Sequence, residues 1–280
     1  MHGTDSIAYT AAGITMIFKE SMQKPIIIVG SQMTKDEAGT DMRIQLENAV
    51  RIADEFSDTR TRIAGVFALA SGEVFAGARL RKTHDAKFSF LDTPGMPPVA
   101  SVEQPKIEIK YDLVRRRDER LAIRGLRMDK KFEPNVVSIS VNGATPPTVL
   151  TSLVDSGAVK GVIIEALGAG NVPDTKNFEY QGKKISWIDA IRKATSAGIH
   201  VGIVSPFADG KVNLDRYALG KKAKRAGAMS LESLTPAMAD AKFRQAISLH
   251  PDDAEAIQRY ISTDLAGELL RGNKEDKFKK

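Results

Sequence analysis

The sequence predicts an α/β protein with a mainly parallel sheet. Short β-branched apolar runs recur along the chain, and segments with apolar residues at helical spacing lie between them. The length of 280 residues indicates two domains or one large domain. An apolar fraction of 42% is ordinary for a globular protein, so the chain can bury a substantial core.

The first half of the chain begins with a helix and continues with a buried strand. Apolar residues between Ile7 and Phe18 fall on one face of a helix. The β-branched run Ile26–Val29, closed by Gly30, is typical of a buried parallel strand, and Ser31-Gln32 follows at its carboxyl end, where ligands gather in open α/β sheets. The other predicted elements of this half are a helix at 44–56 and a hairpin formed by strands at 63–69 and 73–80.

The second half repeats the alternation of strands and helices. Predicted strands lie at 135–141, 161–164 and 199–204, and predicted helices at 147–156, 185–197, 236–249 and 252–260. A charged stretch precedes this half and contains short extended pieces such as Ile107-Glu108-Ile109, which we interpret as an edge strand. We therefore predict an N-terminal domain at 1–110, a connector at 111–133 and a C-terminal domain at 134–280.

The net charge of +6 is a reason to consider a nucleic-acid partner. The positive charge is concentrated at Arg115–Lys131 and at Lys274–Lys280, and neither stretch has the series of interleaved aromatic residues that a base-stacking platform needs. We therefore interpret these stretches as a solvated linker and a solvated terminus, and expect no nucleic-acid partner.

The absence of cysteine excludes a disulfide framework, a thiolate metal site and a cysteine nucleophile. It also agrees with a cytoplasmic location, which we expect for this protein. No run of about 18 apolar residues is present, so we expect no membrane partner. The four histidines are scattered, without the spacing of metal ligands, and we expect no metal and no organic cofactor.

The stretch from His2 to Ser6 is the candidate centre of the site. It forms a predicted turn at the N-terminus of the first helix, where unpaired N–H groups and the helix dipole favour an anion. A hydroxyl such as that of Thr4 can attack an electrophile if a base removes its proton, and Asp5 can bind an ammonium group. Taken alone, however, Thr4 and Asp5 are more simply explained as ordinary capping residues of a helix.

Several motifs, in one order along nearly the whole chain, resemble those of the L-asparaginases, with the cytoplasmic type I branch most similar. In the first half the motifs are His2-Gly3-Thr4-Asp5-Ser6-Ile7-Ala8-Tyr9-Thr10-Ala11, Lys24-Pro25 through Gly30-Ser31-Gln32, and Lys82-Thr83-His84-Asp85. In the second half they are Gly168-Ala169-Gly170-Asn171-Val172-Pro173, Gly210-Lys211-Val212-Asn213 with Tyr217, and Leu265-Ala266-Gly267-Glu268-Leu269.

This resemblance implies a function and a set of site residues. It implies hydrolysis of L-asparagine to L-aspartate and ammonia, by a homodimer or homotetramer whose protomer has a flavodoxin-like N-terminal domain and a smaller Rossmann-like C-terminal domain. By resemblance, Thr4 and Lys82 are the catalytic pair and Asp5 binds the α-amino group of the substrate. Asn171 matches a substrate-binding position that reaches a neighbouring subunit's site.

Lys82 has a simpler explanation when its motif is ignored. Next to Asp85 it is an ordinary surface cation, and only the motif favours a catalytic role. A lysine acts as a base only when burial or nearby charge lowers its pKa from about 10.4 towards neutrality. His84 is more simply explained by polar packing than by a role as a general base.

The sequence departs from the L-asparaginase pattern in one major respect and in smaller ones. Family members carry, before the His-Gly-Thr-Asp motif, a segment with a Thr-Gly-Gly-Thr-Ile type motif and a second catalytic threonine. That segment is not seen here, so the first sheet is expected to be incomplete and the chain to be a truncated or split form with little activity alone. Ser205-Pro206-Phe207-Ala208 differs from the usual segment, which makes an effector site there doubtful.

Two other functions remain open at this point. The first is a component of a tRNA-dependent amidotransferase, which uses the same amidase fold to supply ammonia to a partner and is expected to carry an extra N-terminal domain. A salt-sensitive tRNA gel shift would favour it. The second is a non-catalytic amino-acid-binding or scaffold protein, which would bind asparagine or aspartate without turnover.

Overall fold

The computed structural model describes residues 1–207 and 210–270, which contain eight α-helices. The first helix has the predicted bounds, and the other predicted helices are confirmed with small differences at their ends. A further short helix lies within the predicted connector. The helices are α1 (Ile7–Phe18), α2 (Met42–Ser57), α3 (Glu119–Ile123), α4 (Thr148–Ser156), α5 (Trp187–Ser196), α6 (Ala218–Arg225), α7 (Pro236–Leu249) and α8 (Ala254–Ser262).

Seven strands belong to the first half of the chain. They are β1 (Pro25–Val29), β2 (Gly65–Ala70), β3 (Glu73–Ala76), β4 (Arg81–Lys82), β5 (Leu91–Asp92), β6 (Ala100–Glu103) and β7 (Lys106–Ile109). Five of them form one sheet in the order β1-β2-β3-β6-β7, and β4 pairs with β5 in a separate antiparallel ladder. The predicted edge strand at 107–109 is confirmed as part of β7, the last strand of this sheet.

The prediction of a mainly parallel sheet is wrong for this first sheet. Only β1 and β2 are parallel, and the remaining neighbours in the sheet are antiparallel. For the β2–β3 and β6–β7 pairs the physical reason is the length of the connection, because two-residue turns can join only antiparallel strands. Ser71 and Gly72, both at positive φ, form such a turn between β2 and β3.

The second sheet is parallel, as predicted. It contains β8 (Val136–Ser140), β9 (Gly161–Glu165), β12 (His200–Val204) and β13 (Met229–Ser230), in the order β13-β12-β9-β8. A separate antiparallel hairpin is formed by β10 (Phe178–Tyr180) and β11 (Lys183–Ile185). Helices α4 and α5 share one buried apolar cluster with the strands of this sheet. Helix α7 also packs against these strands, and its contacts belong to a second buried apolar cluster.

One hydrophobic core joins elements from both halves of the chain. Helix α1 packs against α7, and Ile7 and Met16 are buried in the same cluster as Met238 and Phe243. Burying a side chain of this size stabilises a fold by roughly 1.5–3 kcal/mol, so α1 is held firmly at its position. The N-terminus of α1 is therefore a rigid support for the turn that precedes it.

Within the part of the chain that the structure describes, no helix combines the length and the apolar character needed to cross a bilayer.

Candidate active site

Two segments that are far apart in the sequence meet at the N-terminus of α1. The turn at Thr4–Ser6 comes from one side and the end of β4 from the other. Lys82 Nζ donates a hydrogen bond to Thr4 Oγ1 over 2.9 Å and lies 2.6 Å from Asp5 Oδ1. The structure thus brings together three of the four residues singled out in the sequence.

The three side chains differ strongly in their exposure to solvent. The Lys82 side chain is only 17% exposed, whereas that of Asp5 is 93% exposed. The Lys82 side chain is therefore mostly buried, whereas the Asp5 carboxylate is accessible to small molecules in solution. This arrangement presents a hydroxyl, an amine and an accessible carboxylate to one small molecule.

The simple capping explanation for Thr4 and Asp5 is not what the structure shows. The N-cap residue of α1 is Ser6, and its side chain makes no capping hydrogen bond. The side chains of Thr4 and Asp5 contact Lys82 instead. The first N–H groups of a helix have no partner within the helix, so the end of α1 next to these residues carries partial positive charge.

His2 and Gly30 hold the turn in place. The His2 backbone N–H donates to Val29 O at 2.8 Å, and a 2.8 Å hydrogen bond joins the His2 ring to Thr10 Oγ1 on α1. A Cβ atom on Gly30 would lie 3.0 Å from His2 O and 3.1 Å from Thr4 Cγ2. Only glycine allows the turn to approach the end of β1 this closely. The sequence predicted a strand end here but not this contact.

Asp41 and Gln32 connect the loops on either side of the site. Asp41 Oδ1 accepts hydrogen bonds from the backbone N–H groups of Gln32, at 3.0 Å, and Met33, at 3.1 Å. The Gln32 side-chain amide donates to Asp85 O, in the loop that follows Lys82. Asp41 was not predicted from the sequence to contribute to the site, because no local pattern distinguishes it from an ordinary N-cap residue at the start of α2.

Lys82 itself is positioned by the short ladder of β4 and β5. Lys82 pairs with Leu91, and the next backbone N–H, of Thr83, donates to Phe90 O at 2.9 Å. Phe90 is fully buried, and its ring lies 3.7 Å from the Cβ position of Gly30. His84, by contrast, is exposed, so the prediction that it takes part in polar packing is wrong.

Asn171 is not in hydrogen-bond contact with the other three predicted residues in the described part of the chain. It lies in the turn after β9, where its backbone forms a bridge with Leu167. This turn is nevertheless connected to β4, because Ser205 Oγ donates to Gly168 O at 3.0 Å and Arg81 donates to Pro206 O at 3.3 Å. The role of Asn171 at a neighbouring protomer stays a prediction.

Other features predicted from the sequence are located as follows. Ser205 is buried after β12, while Ala208 lies outside the described residues, as does the basic tail Lys274–Lys280. In the basic connector, Arg115 is partly buried and donates to Met22 O, so this stretch is not uniformly solvated.

In residues 1–207 and 210–270, no group of three or more His, Asp or Glu side chains could hold a metal ion.

Two family profiles match the chain and together span most of it. The first, described as "Asparaginase, N-terminal", matches residues 1–115. The second, described as "Glutaminase/Asparaginase C-terminal domain", matches residues 135–261.

Among curated proteins, the chain is similar to one of the subunits of glutamyl-tRNA(Gln) amidotransferase from several archaea. The protein from Thermococcus kodakarensis is 30% identical over 285 residues, with 99% of this chain and 59% of that protein covered. The protein from Sulfurisphaera tokodaii is 28% identical over 273 residues, with 96% and 56% covered. The chain thus spans less than two thirds of the length of these relatives.

Solved L-asparaginases have the same fold. The thermostable L-asparaginase of Thermococcus kodakarensis superposes with a TM-score of 0.80 at 23% identity, covering 97% of this chain and 75% of that chain. L-asparaginase I of Vibrio cholerae superposes with a TM-score of 0.77 at 24% identity, covering 96% and 75%.

Proposed function

Because this chain belongs to the asparaginase family, we propose that it hydrolyses the side-chain amide of L-asparagine to L-aspartate and ammonia. The proposal depends above all on one observation, the hydrogen bonds from Lys82 Nζ to both Thr4 Oγ1 and Asp5 Oδ1. A hydroxyl nucleophile, an amine base and a carboxylate within reach of each other are the groups that amide hydrolysis at an amino-acid side chain requires.

In the proposed reaction, Lys82 accepts the proton of Thr4 Oγ1 as this oxygen bonds to the amide carbon. The C–N bond of the tetrahedral intermediate then breaks, and the proton passes from Lys82 to the departing nitrogen, which leaves as ammonia. A water molecule hydrolyses the ester that remains on Thr4 and releases the carboxylate product.

Asp5 has two contacts in this mechanism, one with Lys82 and one with the substrate ammonium. In the unliganded site its carboxylate pairs with Lys82 at 2.6 Å. A substrate ammonium that pairs with the exposed carboxylate competes for this partner by a charge-assisted hydrogen bond. The bound substrate thereby displaces the Lys82 amine from the Asp5 carboxylate.

The test is ammonia release from L-asparagine by the chain and its variants. Thr4→Ala and Lys82→Met should each lower kcat by at least a hundredfold, while Asp5→Asn should mainly raise KM. The exposed residues Thr59 and Lys87 supply matched controls, and Thr59→Ala and Lys87→Met should retain full activity. Calorimetric binding of L-asparagine without any ammonia release, even after the N-terminal segment of a full-length family member is added, would contradict hydrolysis and favour an amino-acid-binding or scaffold protein.

A second candidate is a protein that supplies ammonia within a tRNA-dependent amidotransferase. The observation that favours it is the name shared by the curated relatives, which are subunits of glutamyl-tRNA(Gln) amidotransferase. The same Thr4 and Lys82 chemistry would serve, but the ammonia would be used by a partner. A tRNA gel shift that weakens steeply as salt rises would support this candidate, and its absence at low salt would oppose it.

We further propose that the chain acts as a homodimer or homotetramer in the cytoplasm, with Asn171 at the site of a neighbouring protomer. The turn that carries Asn171 is hydrogen-bonded through Ser205 and Pro206 to β4, which supports a position near the site edge. Sedimentation velocity tests the assembly, and cell fractionation tests the location. Asn171→Ala should lower activity in the assembled protein without changing its sedimentation.

A further inference from the structure

The outer side of helix α2 carries apolar side chains in contact with solvent. Leu46 and Val50, one turn apart, are 46% and 63% exposed, and the partly exposed Ala53 continues their line. The opposite side of α2 packs against the first sheet, where Ile52 and Phe56 are fully buried. Single exposed apolar residues are common, but a line of them along one side of a helix is typical of a helix that packs against another helix.

Charged side chains flank this line, which we call the α2 seam (Leu46, Val50 and Ala53). Along the helix they are Arg43, Glu47, Arg51 and Asp54, so their signs alternate. Arg43 Nε lies 2.7 Å from Glu47 Oε1 within the helix, and both side chains are exposed. An exposed pair of this kind is weak, so both groups remain available to another partner.

The α2 seam is complementary to a second copy of itself. In an antiparallel pair of α2 helices, related by a two-fold axis next to Val50, the two Val50 side chains meet at the centre. Because each residue advances a helix by about 1.5 Å, Leu46 of one copy then lies level with Ala53 of the other. A large side chain thus meets a small one on each side of the axis, as close packing of two helices requires.

The flanking charges fit the same antiparallel arrangement. Arg43 lies within about 3 Å, measured along the helix axis, of the level of Asp54 in the second copy. Arg51 likewise lies within about 1.5 Å of the level of Glu47 in the second copy. In a parallel pair each of these groups would face the same group of the other helix, and like charges would repel. The charges therefore favour the antiparallel pair and specify its register.

Arg51 is already held at the edge of this surface. Its Nη2 atom donates to Pro105 O at 2.6 Å, in the turn between β6 and β7. An open groove lies between this turn and the α2 residues Leu46, Glu47, Val50 and Arg51. The other N–H donors of the Arg51 guanidinium can bind a carboxylate of a second copy without giving up the contact with Pro105.

We propose that α2 is a contact between two copies of this chain, which pair antiparallel through Leu46, Val50 and Ala53. Arg43 pairs with Asp54, and Arg51 with Glu47, across the two-fold axis. This contact rests on the self-association proposed above, of which it is one interface. It does not depend on the reaction at the Thr4–Lys82 site.

Sedimentation equilibrium of the native chain and of Val50→Glu tests the proposal. Val50→Glu brings two carboxylates together at the axis, so the dissociation constant of the dimer should rise at least tenfold. Ile123, which is 87% exposed in the short helix α3, supplies the matched control. Ile123→Glu adds the same charge at another exposed apolar position and should associate within twofold of the native chain.

Charge reversal tests the register of the pair. Arg43→Asp and Asp54→Arg each place like charges opposite each other, so each should raise the dissociation constant at least threefold. The double variant exchanges the two charges and restores opposite signs across the axis. Its dissociation constant should return to within twofold of the native value. Damage to the fold of α2 would not be repaired by a second reversal, and circular dichroism monitors that fold.

Four results would overturn the proposal. They are a monomeric native chain, native association of Val50→Glu, a double reversal that associates no better than the single reversals, and an assembly that becomes monomeric when the N-terminal segment of a full-length family member is added. In the last case that segment, and not a second copy, covers the α2 seam. An assembly that is insensitive to all these variants uses a different face, which leaves the proposed self-association and the proposed hydrolysis standing.

Discussion

Lys82 Nζ lies 2.9 Å from Thr4 Oγ1, although 78 positions separate the two residues in the chain. The contact forms because the buried helix α1 fixes the turn on one side, and the β4–β5 ladder fixes Lys82 on the other. A hydroxyl and an amine held in this way need little rearrangement before a proton can move between them, which is the advantage of a preorganised site.

Gly30→Ala should disturb the site directly. Its new Cβ would lie 3.0 Å from His2 O and 3.1 Å from Thr4 Cγ2, so the turn must shift. We expect a loss of about 1–3 kcal/mol in the free energy of unfolding and at least a tenfold fall in kcat for ammonia release. Denaturant unfolding and steady-state kinetics measure the two effects.

Gly13→Ala is the control for the Gly30 prediction. Gly13 lies inside α1, and no atom is within 4 Å of its Cβ position. Alanine there should raise the free energy of unfolding by about 0.5–1 kcal/mol and leave kcat unchanged. Equal kinetics for Gly30→Ala and the native chain would show that the close approach to Thr4 has no functional importance.

Asp41→Ala should loosen the loop after β1. This change removes the acceptor of the Gln32 and Met33 N–H groups. Gln32, whose side chain donates to Asp85 O in the loop that follows Lys82, is then held less firmly. We expect a fall of roughly tenfold in kcat/KM, about 1.4 kcal/mol, because a displaced loop misplaces the site. Ammonia-release kinetics measure the change. Asp36→Ala, at an exposed position of the same loop, should leave kcat/KM unaltered, and a similar loss in both variants would argue against the anchor.

Breaking the ion pair of Lys242 and Glu268 should destabilise the fold strongly. Both side chains are 0% exposed, and their charged atoms lie 2.6 Å apart. Lys242→Met leaves a buried carboxylate without its partner, so we expect a loss of about 3–5 kcal/mol in the free energy of unfolding. Denaturant unfolding is the measurement, and a loss below about 1 kcal/mol would contradict the prediction. The exposed pair of Arg43 and Glu47 is the control, since Arg43→Ala should leave the free energy of unfolding nearly unchanged.

Tyr260 should make the fold sensitive to alkaline pH. Burial, assisted by the charges of Asp129 and Glu268, raises the pKa of Tyr260 above its ordinary value of 10. Above pH 10 the unfolded chain therefore loses the phenolic proton while the folded chain keeps it. Stability then falls as pH rises, by about 1.4 kcal/mol for each pH unit.

Tyr260→Phe isolates this contribution. The variant should be about 1 kcal/mol less stable at pH 8, because it lacks the 2.5 Å hydrogen bond to Gln245 Oε1, and this deficit should shrink as pH rises from 10. Urea unfolding between pH 8 and pH 11 provides the comparison. The exposed Tyr217 supplies the control, and Tyr217→Phe should follow the native pH dependence. A deficit that stays constant with pH would show that Tyr260 titrates alike in both states.

The helix at Ile7–Phe18 and the parallel second sheet could be predicted from the sequence because their signals are local. Apolar spacing predicted the helix with its observed bounds, and β-branched runs predicted the strands that pair in parallel. The four candidate site residues were also identified from the sequence, since they belong to motifs of an asparaginase-like chain. Their roles are properties of the motifs, so the roles of Thr4, Lys82, Asp5 and Asn171 remain predictions.

Only the tertiary structure decided which distant groups meet. The first sheet is mostly antiparallel, and short turns join two of its antiparallel pairs, whereas the periodicity of single strands does not specify their direction. The contact of Gly30 with Thr4 and the link from Gln32 to the loop after Lys82 depend on atoms that are remote in the chain. Residue types and spacing determine local conformation and the inventory of chemical groups, whereas packing determines which of those groups are buried, paired or left free.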